Sequence, residues 1–228
     1  MTKLFVAHSQ VKDGSMLNRE DYGNAQVLAH RISWLESVGV DPTKTIRVCL
    51  SYDNQSDFCR YREIVSSDLP VTTADNANET ADALVTTEVG RALFLPVADC
   101  IGAVLFDEEH GVLMLSHLGR HSLERGGGTK SVEYLIEHYK TDPKKITVWL
   151  SAAISKELYK IYALDNKGMK EALYQQLAAA GVNSDRITDT EHDTGKHADY
   201  YSYSEFLKGN KAENGRHAIV AMMTDEPV

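Results

Sequence analysis

The sequence predicts a mixed α/β or α+β sandwich that forms one domain over residues 1–228. Short apolar runs typical of strands occur along the chain, and segments with helical spacing of apolar residues separate several of them. Because strands and helices do not alternate strictly, a mixed sandwich fits better than a regular β-α-β fold. The 228 residues show no repeat and no clear linker, and 43% hydrophobic with 25% charged residues is ordinary for a globular protein.

The first half of the chain begins with a predicted helix over residues 24–39, where apolar residues recur near helical spacing and Gly39 is a natural stop. A strand is predicted over 46–50. Residues 66–82 are polar and rich in turn formers, so we expect a loop there. Strand structure resumes over 83–87.

The second half of the chain also combines predicted helices and strands. A run of three glycines precedes a predicted helix with Thr129 as its N-cap. The remaining predicted elements are a strand over 146–150, a helix over 166–180 and a strand over 217–223 that would close a sheet.

A predicted hairpin carries the most informative pair of residues, Cys100 and His117. Two apolar runs, one on each side of residues 107–110, form its strands. If 107–110 form a four-residue loop, Cys100 lies opposite His117, and opposed side chains have Cβ atoms about 4.5–5.5 Å apart. A thiolate and an imidazole could then share a proton or a metal. A three-residue loop would send the two side chains to opposite faces.

Charge and cysteine usage exclude several classes of protein. A formal net charge of -9 argues against binding to a nucleic-acid backbone, which needs clustered Lys and Arg. Three cysteines without a CxxC motif indicate reduced thiols rather than a disulfide framework. With no signal peptide and no membrane-length apolar run, we expect a cytoplasmic protein without a membrane partner. The oligomeric state stays open.

The order of several motifs resembles the laccase-domain family, also called the multicopper polyphenol oxidase or YfiH-like family. The matching segments include residues 83–87, 97–100, 116–119, 148–150, 153–154, 200–203 and 215–216. The resemblance implies a β-sandwich flanked by helices and a zinc-dependent purine nucleoside phosphorylase, with adenosine deamination in some members. It also implies a Cys-His core similar to that of cysteine hydrolases.

The sequence departs from the family pattern at the metal site that the resemblance implies. Cys100 and His117 match two of the three family ligands, but Asn54 stands where the third, a histidine, is expected. An asparagine amide is a poor zinc ligand, since zinc favours thiolate and imidazole. His121 and His8 are the substitutes that we consider for the third position.

Three interpretations of the Cys100 and His117 pair remain open. A zinc with an open coordination position would polarise water or phosphate. Without metal, the imidazole would lower the thiol pKa and produce a nucleophile for a hydrolase or deamidase. The third interpretation is a catalytically inactive binding protein. Asp99 either orients an imidazole or fixes the end of the strand.

Substrate contacts are predicted for four polar residues: Arg120, His121, Asn54 and Arg216. The glycine run before the helix, together with Arg120 and Lys130, would bind phosphate or form a plain flexible turn. His192 and His197 lie in a polar segment that reads as a solvated loop. Tyr200, Tyr201 and Tyr203 would stack on a purine or lie in a strand.

We therefore expect a zinc-associated enzyme that acts on purine nucleosides by phosphorolysis or deamination. Cys100 and His117 are its predicted metal ligands, and Cys100, His117 and Asp99 its predicted catalytic residues. The predicted partners are a purine nucleoside and phosphate.

Overall fold

The computed structural model describes residues 2–52, 58–73 and 78–225. Its strands are β1 (Lys3–His8), β2 (Thr45–Arg47), β3 (Tyr61–Glu63), β4 (Ala83–Thr86), β5 (Ala92–Val97), β6 (Ile101–Asp107), β7 (Val112–Leu118), β8 (Thr147–Leu150), β9 (Ile187–Asp189) and β10 (His217–Thr224). Its α-helices are α1 (Ala25–Ser37), α2 (Arg120–Glu124), α3 (Gly127–Tyr139), α4 (Met169–Ala179) and α5 (Tyr203–Leu207). Short 3₁₀ helices span Val11–Asp13, Pro42–Lys44, Tyr162–Leu164 and Ser184–Arg186.

The strands form two mixed sheets that pack face to face. One sheet has the order β1-β10-β5-β2, and the other has the order β3-β4-β7-β6-β8-β9. Apolar side chains from both inner faces share one core between the sheets, to which β5, β6, β7 and β10 contribute. Helix α1 packs on the outer face of the smaller sheet, and α2, α3 and α4 cover the outer face of the larger one. The predicted sandwich with flanking helices is confirmed.

The central strands are apolar on both faces because each face is covered. In β6, Ala103 and Leu105 face the helices, whereas Val104 and Phe106 face the opposite sheet. Side chains alternate between faces along a strand, so a strand buried on both sides reads as a continuous apolar run. This explains why residues 101–106 carry no polar alternation.

Most predicted elements are present, with shifted ends. The helix predicted over 24–39 is α1, whose N-cap Asn24 accepts a hydrogen bond from the Val27 N–H at 3.1 Å. The strand predicted over 46–50 is the shorter β2. The short strands β3 and β9 and the five-residue helices α2 and α5 were not predicted, because segments this short show little periodicity.

The glycine run forms a turn at Gly126 and then enters helix α3. Helix α3 begins within the run, at Gly127, so Thr129 is not its N-cap. The Gly128 N–H donates to Gln176 Oε1 at 2.8 Å, and a Cβ at Gly128 would lie 2.6 Å from Leu173 Cδ1. These glycines allow α3 to pack closely against α4.

The chain passes from the smaller sheet to the larger one between β5 and β6. Asp99 makes this crossing with a φ of 75°, in the left-handed region that aspartate tolerates better than most residues. Cys100 follows directly and precedes the first residue of β6. The crossing therefore places the cysteine at one end of the sandwich, where the two sheets meet.

The β6–β7 hairpin has a different register from the predicted one. Its turn is formed by residues 108–111, and His117 lies opposite Gly102 rather than Cys100. The shift is two residues, which preserves the side-chain period of a strand. Cys100 and His117 therefore still lie on the same side of the larger sheet, the side that faces the smaller sheet.

No helix in the described ranges is both long enough and apolar enough to cross a membrane.

Candidate functional site

The thiol of Cys100 and the imidazole of His117 converge on one point beside Gly119. A Cβ built on Gly119 would lie 2.8 Å from Cys100 Sγ, 3.1 Å from His117 Cε1 and 3.3 Å from His117 Nε2. All three residues line one cavity of about 360 Å³. His117 is held at the end of β7, where its backbone N–H donates to the Asp82 carbonyl at 2.8 Å. The glycine leaves room at the point between the sulfur and the imidazole.

Burial leaves both groups of this pair uncharged at neutral pH. Burial, helped by the negative charge of Asp99, raises the pKa of the Cys100 thiol to about 12. Burial, helped by the positive charges of Arg19 and His121, lowers the pKa of His117 to about 3. The expectation that the imidazole alone would produce a thiolate is therefore wrong, since desolvation outweighs it. A neutral thiol is a weak nucleophile.

The same two donors fit a zinc ion. Zinc binds thiolate sulfur and neutral imidazole nitrogen, and its charge would offset the cost of burying the thiolate. His117 already carries the neutral form that ligation needs. The point that a Cβ at Gly119 would fill adjoins both donor atoms.

Both carboxylate oxygens of Asp99 accept hydrogen bonds from partners other than the imidazole. Its Oδ1 accepts from the Thr194 hydroxyl at 2.8 Å, and its Oδ2 accepts from the Ser204 backbone N–H at 2.7 Å. The residue is 6% exposed. Of the two predicted roles, these bonds match fixing the end of the strand, because they tie the sheet crossing to the segment before β10.

Three of the four predicted substrate contacts line the cavity, and the fourth, Asn54, lies outside the described residues. Arg120 and His121 open helix α2 at the cavity wall, and Arg120 Nη2 lies 3.1 Å from His121 Nε2. Arg216 is buried, and its Nη1 donates to Asn214 Oδ1 at 2.9 Å and to the Gly215 carbonyl at 2.7 Å. The cavity is thus bordered by guanidinium groups.

Neither histidine considered as a third metal ligand joins the pair. The His121 ring stacks on Phe58 at a centroid distance of 4.8 Å. His8 does not line the cavity; its ring stacks on Tyr200 at 4.9 Å and meets His217 edge-on at 4.9 Å. Within residues 2–52, 58–73 and 78–225, no group of three His, Cys, Asp or Glu side chains is arranged to hold a metal.

The three tyrosines of the 200–203 segment have separate positions. Tyr200 is buried and packs among His8, His192, His197 and His217. The segment around His192 is a loop with His192 exposed, as predicted. Tyr203 begins helix α5 rather than lying in a strand, and it lines the cavity beneath the Arg216 guanidinium at 5.2 Å. Only Tyr203 is placed to stack on a ligand there.

Sequence reasoning missed Arg19 and Tyr52, which close the cavity opposite Cys100. The Arg19 guanidinium lies 4.5 Å from the centroid of the Tyr52 ring. The Tyr52 hydroxyl lies 3.4 Å from His117 Nε2. Arg19 lies in an N-terminal loop without a motif. Tyr52 had a signal, because it begins the segment aligned with the missing metal ligand.

Comparisons with known proteins identify the family. Residues 24–170 match the family described as multi-copper polyphenol oxidoreductase laccase. The chain belongs to this family. The match spans the cysteine, the histidine and helices α2 and α3, so the predicted resemblance is confirmed. The family description names copper and identifies no metal for this chain.

Curated members of similar sequence are named purine nucleoside phosphorylases. One from Corynebacterium glutamicum is 36% identical over 85 residues, which cover 37% of this chain and 34% of that protein. One from Streptomyces coelicolor is 28% identical over 138 residues, covering 59% of this chain and 51% of that protein. The matched segments thus span about half or less of these relatives.

Solved structures of the same fold cover nearly the whole chain. The hypothetical protein YfiH of Bacillus licheniformis aligns with a TM-score of 0.79 at 17% identity, over 96% of this chain and 92% of that one. YlmD from Geobacillus stearothermophilus aligns with a TM-score of 0.78 at 19% identity, over 98% and 92%. At this level of identity, the likeness shows the fold alone.

Proposed function

We propose that this protein is a purine nucleoside phosphorylase that binds zinc through Cys100 and His117. The observation that carries the proposal is the convergence of Cys100 Sγ and His117 Nε2 in a cavity bordered by Arg19, Arg120 and Arg216. No carboxylate of the described residues forms an ion pair with any of these arginines. The names of the curated relatives support the same activity.

In phosphorolysis, a phosphate oxygen attacks C1′ of the ribose while the bond to the purine nitrogen breaks. The products are ribose 1-phosphate and the free base. Guanidinium groups bind phosphate through charge-assisted hydrogen bonds, so the three arginines would hold the nucleophile and balance its charge. Zinc held by Cys100 and His117 would supply Lewis-acid chemistry and a positive charge that orients the phosphate.

The apolar part of the cavity suits a purine ring. Phe58, Tyr159, Met169, Tyr203 and Leu207 line it, and Tyr203 and Leu207 are 42% and 65% exposed. Aromatic side chains stack on a flat base without recognising one purine specifically. We therefore propose that adenosine, guanosine and inosine are all accepted. We also propose that water attacks C6 of adenosine and displaces the amino group as ammonia, which gives inosine.

A metal-free hydrolase is the weaker alternative, because Cys100 and His117 are both uncharged in this site. The proposal also includes a single domain over residues 1–228 and a cytoplasmic location.

The test is an assay of a nucleoside panel with and without inorganic phosphate, with bound metal measured in the same samples. We expect phosphate-dependent release of free base and zinc near one ion per chain. Cys100→Ser should weaken zinc binding and slow phosphorolysis, each by about 100-fold or more. Cys49→Ser, which changes a cysteine outside this cavity, should leave zinc binding and phosphorolysis unchanged. Failure to convert any nucleoside in zinc-loaded protein would overturn the proposal.

A further inference from the structure

Tyr52 lies beside His117, and 43% of the residue is exposed. Its hydroxyl lies 3.4 Å from His117 Nε2, and the two rings meet edge-on with centroids 6.2 Å apart. Tyr52 lines the same cavity as Cys100 and Gly119. The phenol oxygen therefore approaches the nitrogen atom that would ligate a metal.

The distance between these two atoms suits a shared ligand sphere. Nitrogen and oxygen donors that each lie about 2.0–2.2 Å from one tetrahedral zinc are separated by about 3.3–3.5 Å. Cys100 Sγ and His117 Nε2 adjoin the same point beside Gly119. Cys100, His117 and Tyr52 thus offer a sulfur, a nitrogen and an oxygen donor to one cavity. Within the described residues, no group of three His, Cys, Asp or Glu side chains is arranged to hold a metal.

Arg19 packs against Tyr52 in this position. Its guanidinium lies over the phenol ring at 4.5 Å. Burial and the neighbouring Cys100 raise the pKa of the Tyr52 phenol, while Arg19 acts in the opposite direction. A dication between the phenol and the thiol would remove the conflict between their two negative charges.

We propose that the Tyr52 oxygen is the third protein donor to the metal bound by Cys100 and His117, and that Arg19 positions it. The inference rests on the proposed function only in requiring a metal at this site. Binding of Zn²⁺ replaces the Cys100 S–H and Tyr52 O–H bonds by bonds to the metal, and both protons leave to solvent.

The test compares metal-depleted wild type with Tyr52→Phe and with Tyr162→Phe, a matched change at a tyrosine that is 83% exposed and outside the cavity. Zn²⁺ alone is titrated against a chromophoric chelator, and proton release is measured by calorimetry in buffers of different ionisation enthalpy. Tyr52→Phe should bind zinc about 10–100-fold more weakly and release one proton fewer. Tyr162→Phe should match wild type.

Cobalt(II) gives a readout that does not depend on affinity. Saturating Co²⁺ should give wild type and Tyr162→Phe the same ligand-field spectrum, and Tyr52→Phe a spectrum with altered band positions and intensities. The near-ultraviolet signature of tyrosinate should grow with Co²⁺ or Zn²⁺ in wild type and be absent from Tyr52→Phe. Thermal unfolding of the metal-free variants checks that each one folds.

The outcomes separate this inference from the proposed function. Unchanged zinc affinity, proton release and cobalt spectrum in Tyr52→Phe would overturn the role of Tyr52, even if zinc-dependent phosphorolysis is found. Weaker binding with the same proton release would also overturn it, because the hydroxyl would then only donate a hydrogen bond. The protein could bind zinc through Tyr52 and yet convert no nucleoside. That result would support the inference about Tyr52 and contradict the proposed phosphorylase activity.

Discussion

The Asp99 carboxylate accepts a hydrogen bond from the Thr194 hydroxyl at 2.8 Å, joining two residues that lie 95 positions apart in the sequence. The same carboxylate accepts from the Ser204 N–H, so one side chain fixes both the sheet crossing and the start of α5. The crossing in turn sets the position of Cys100.

Replacing Asp99 should therefore reduce stability in a graded way. Asp99→Ala removes both hydrogen bonds and places alanine at a φ of 75°, which should lower the free energy of unfolding by about 2–4 kcal/mol. Asp99→Asn keeps a hydrogen-bond acceptor and tolerates the backbone conformation, so it should lose about 1 kcal/mol. Urea denaturation measures both. Equal losses for the two variants would contradict this account.

Stability should fall in acid because of the buried pair His8 and His217. Burial, with His192 and Lys170 nearby, lowers the pKa of His8 to about 3. Burial, with His8, Arg216 and Lys211 nearby, places the pKa of His217 well below its usual value. None of these neighbours is an acid that would stabilise an imidazolium.

The direction of this pH dependence follows from the lowered pKa values of the two histidines in the folded state. The unfolded chain binds more protons as the pH falls below about 6.5, so the stabilisation is complete above that pH and is lost towards pH 3. Each histidine should contribute a loss of about 2 kcal/mol between pH 7 and pH 5. His217→Gln should flatten the pH dependence measured by denaturation, whereas His138→Gln, at an exposed position, should leave it unchanged.

Any side chain at position 119 should reduce the stability of the protein and its affinity for zinc. Its φ of -93° is open to any residue, so backbone strain does not decide the outcome. A Cβ would instead lie 2.8 Å from Cys100 Sγ. Gly119→Ala should destabilise the protein by about 1–3 kcal/mol and reduce zinc affinity by about 10-fold or more. Zinc titration that matches wild type would show that this point is not the metal position.

Arg120 should affect phosphate more than nucleoside. It is exposed at the cavity wall and forms no ion pair within the described residues, so its replacement should leave folding intact. Losing one charge-assisted hydrogen bond of about 1.5–3 kcal/mol should raise the KM for phosphate by about 10–100-fold in Arg120→Met. The KM for nucleoside should change little. Arg91→Met, at a surface arginine paired with Glu88, is the control.

The sequence could predict the β-sandwich with flanking helices, because a strand that is buried on both faces is a continuous apolar run. The apolar run over 101–106 and the cap at Asn24 each followed from local rules. Cys100 and His117 were expected on one face, and that survived a wrong loop assignment because a shift of two residues does not change which face a side chain occupies.

The remaining parts of the site depend on contacts that no local pattern carries. Arg19 and Tyr52 come from irregular segments that meet only after both sheets have formed. The glycine run before α3 looked like an anion site, yet its shape serves helix packing against Gln176 and Leu173. The prediction of a thiolate at Cys100 was wrong for a similar reason. Burial of Cys100 raises its pKa, and burial depends on the tertiary structure rather than on the local sequence.

Because Cys100 directly precedes β6 and His117 lies on the paired strand β7, the distance between them depends on the β6–β7 ladder and on the crossing at Asp99. Substitutions deep in the sandwich interior, such as at Gly102 beneath Ile219, should alter that spacing and be felt at the cavity although they touch nothing in it. Substitutions on the outer faces of the sheets should instead shift the helices that pack there and leave this distance unchanged. Directed evolution of this protein would therefore tune its chemistry most readily from within the β-sandwich.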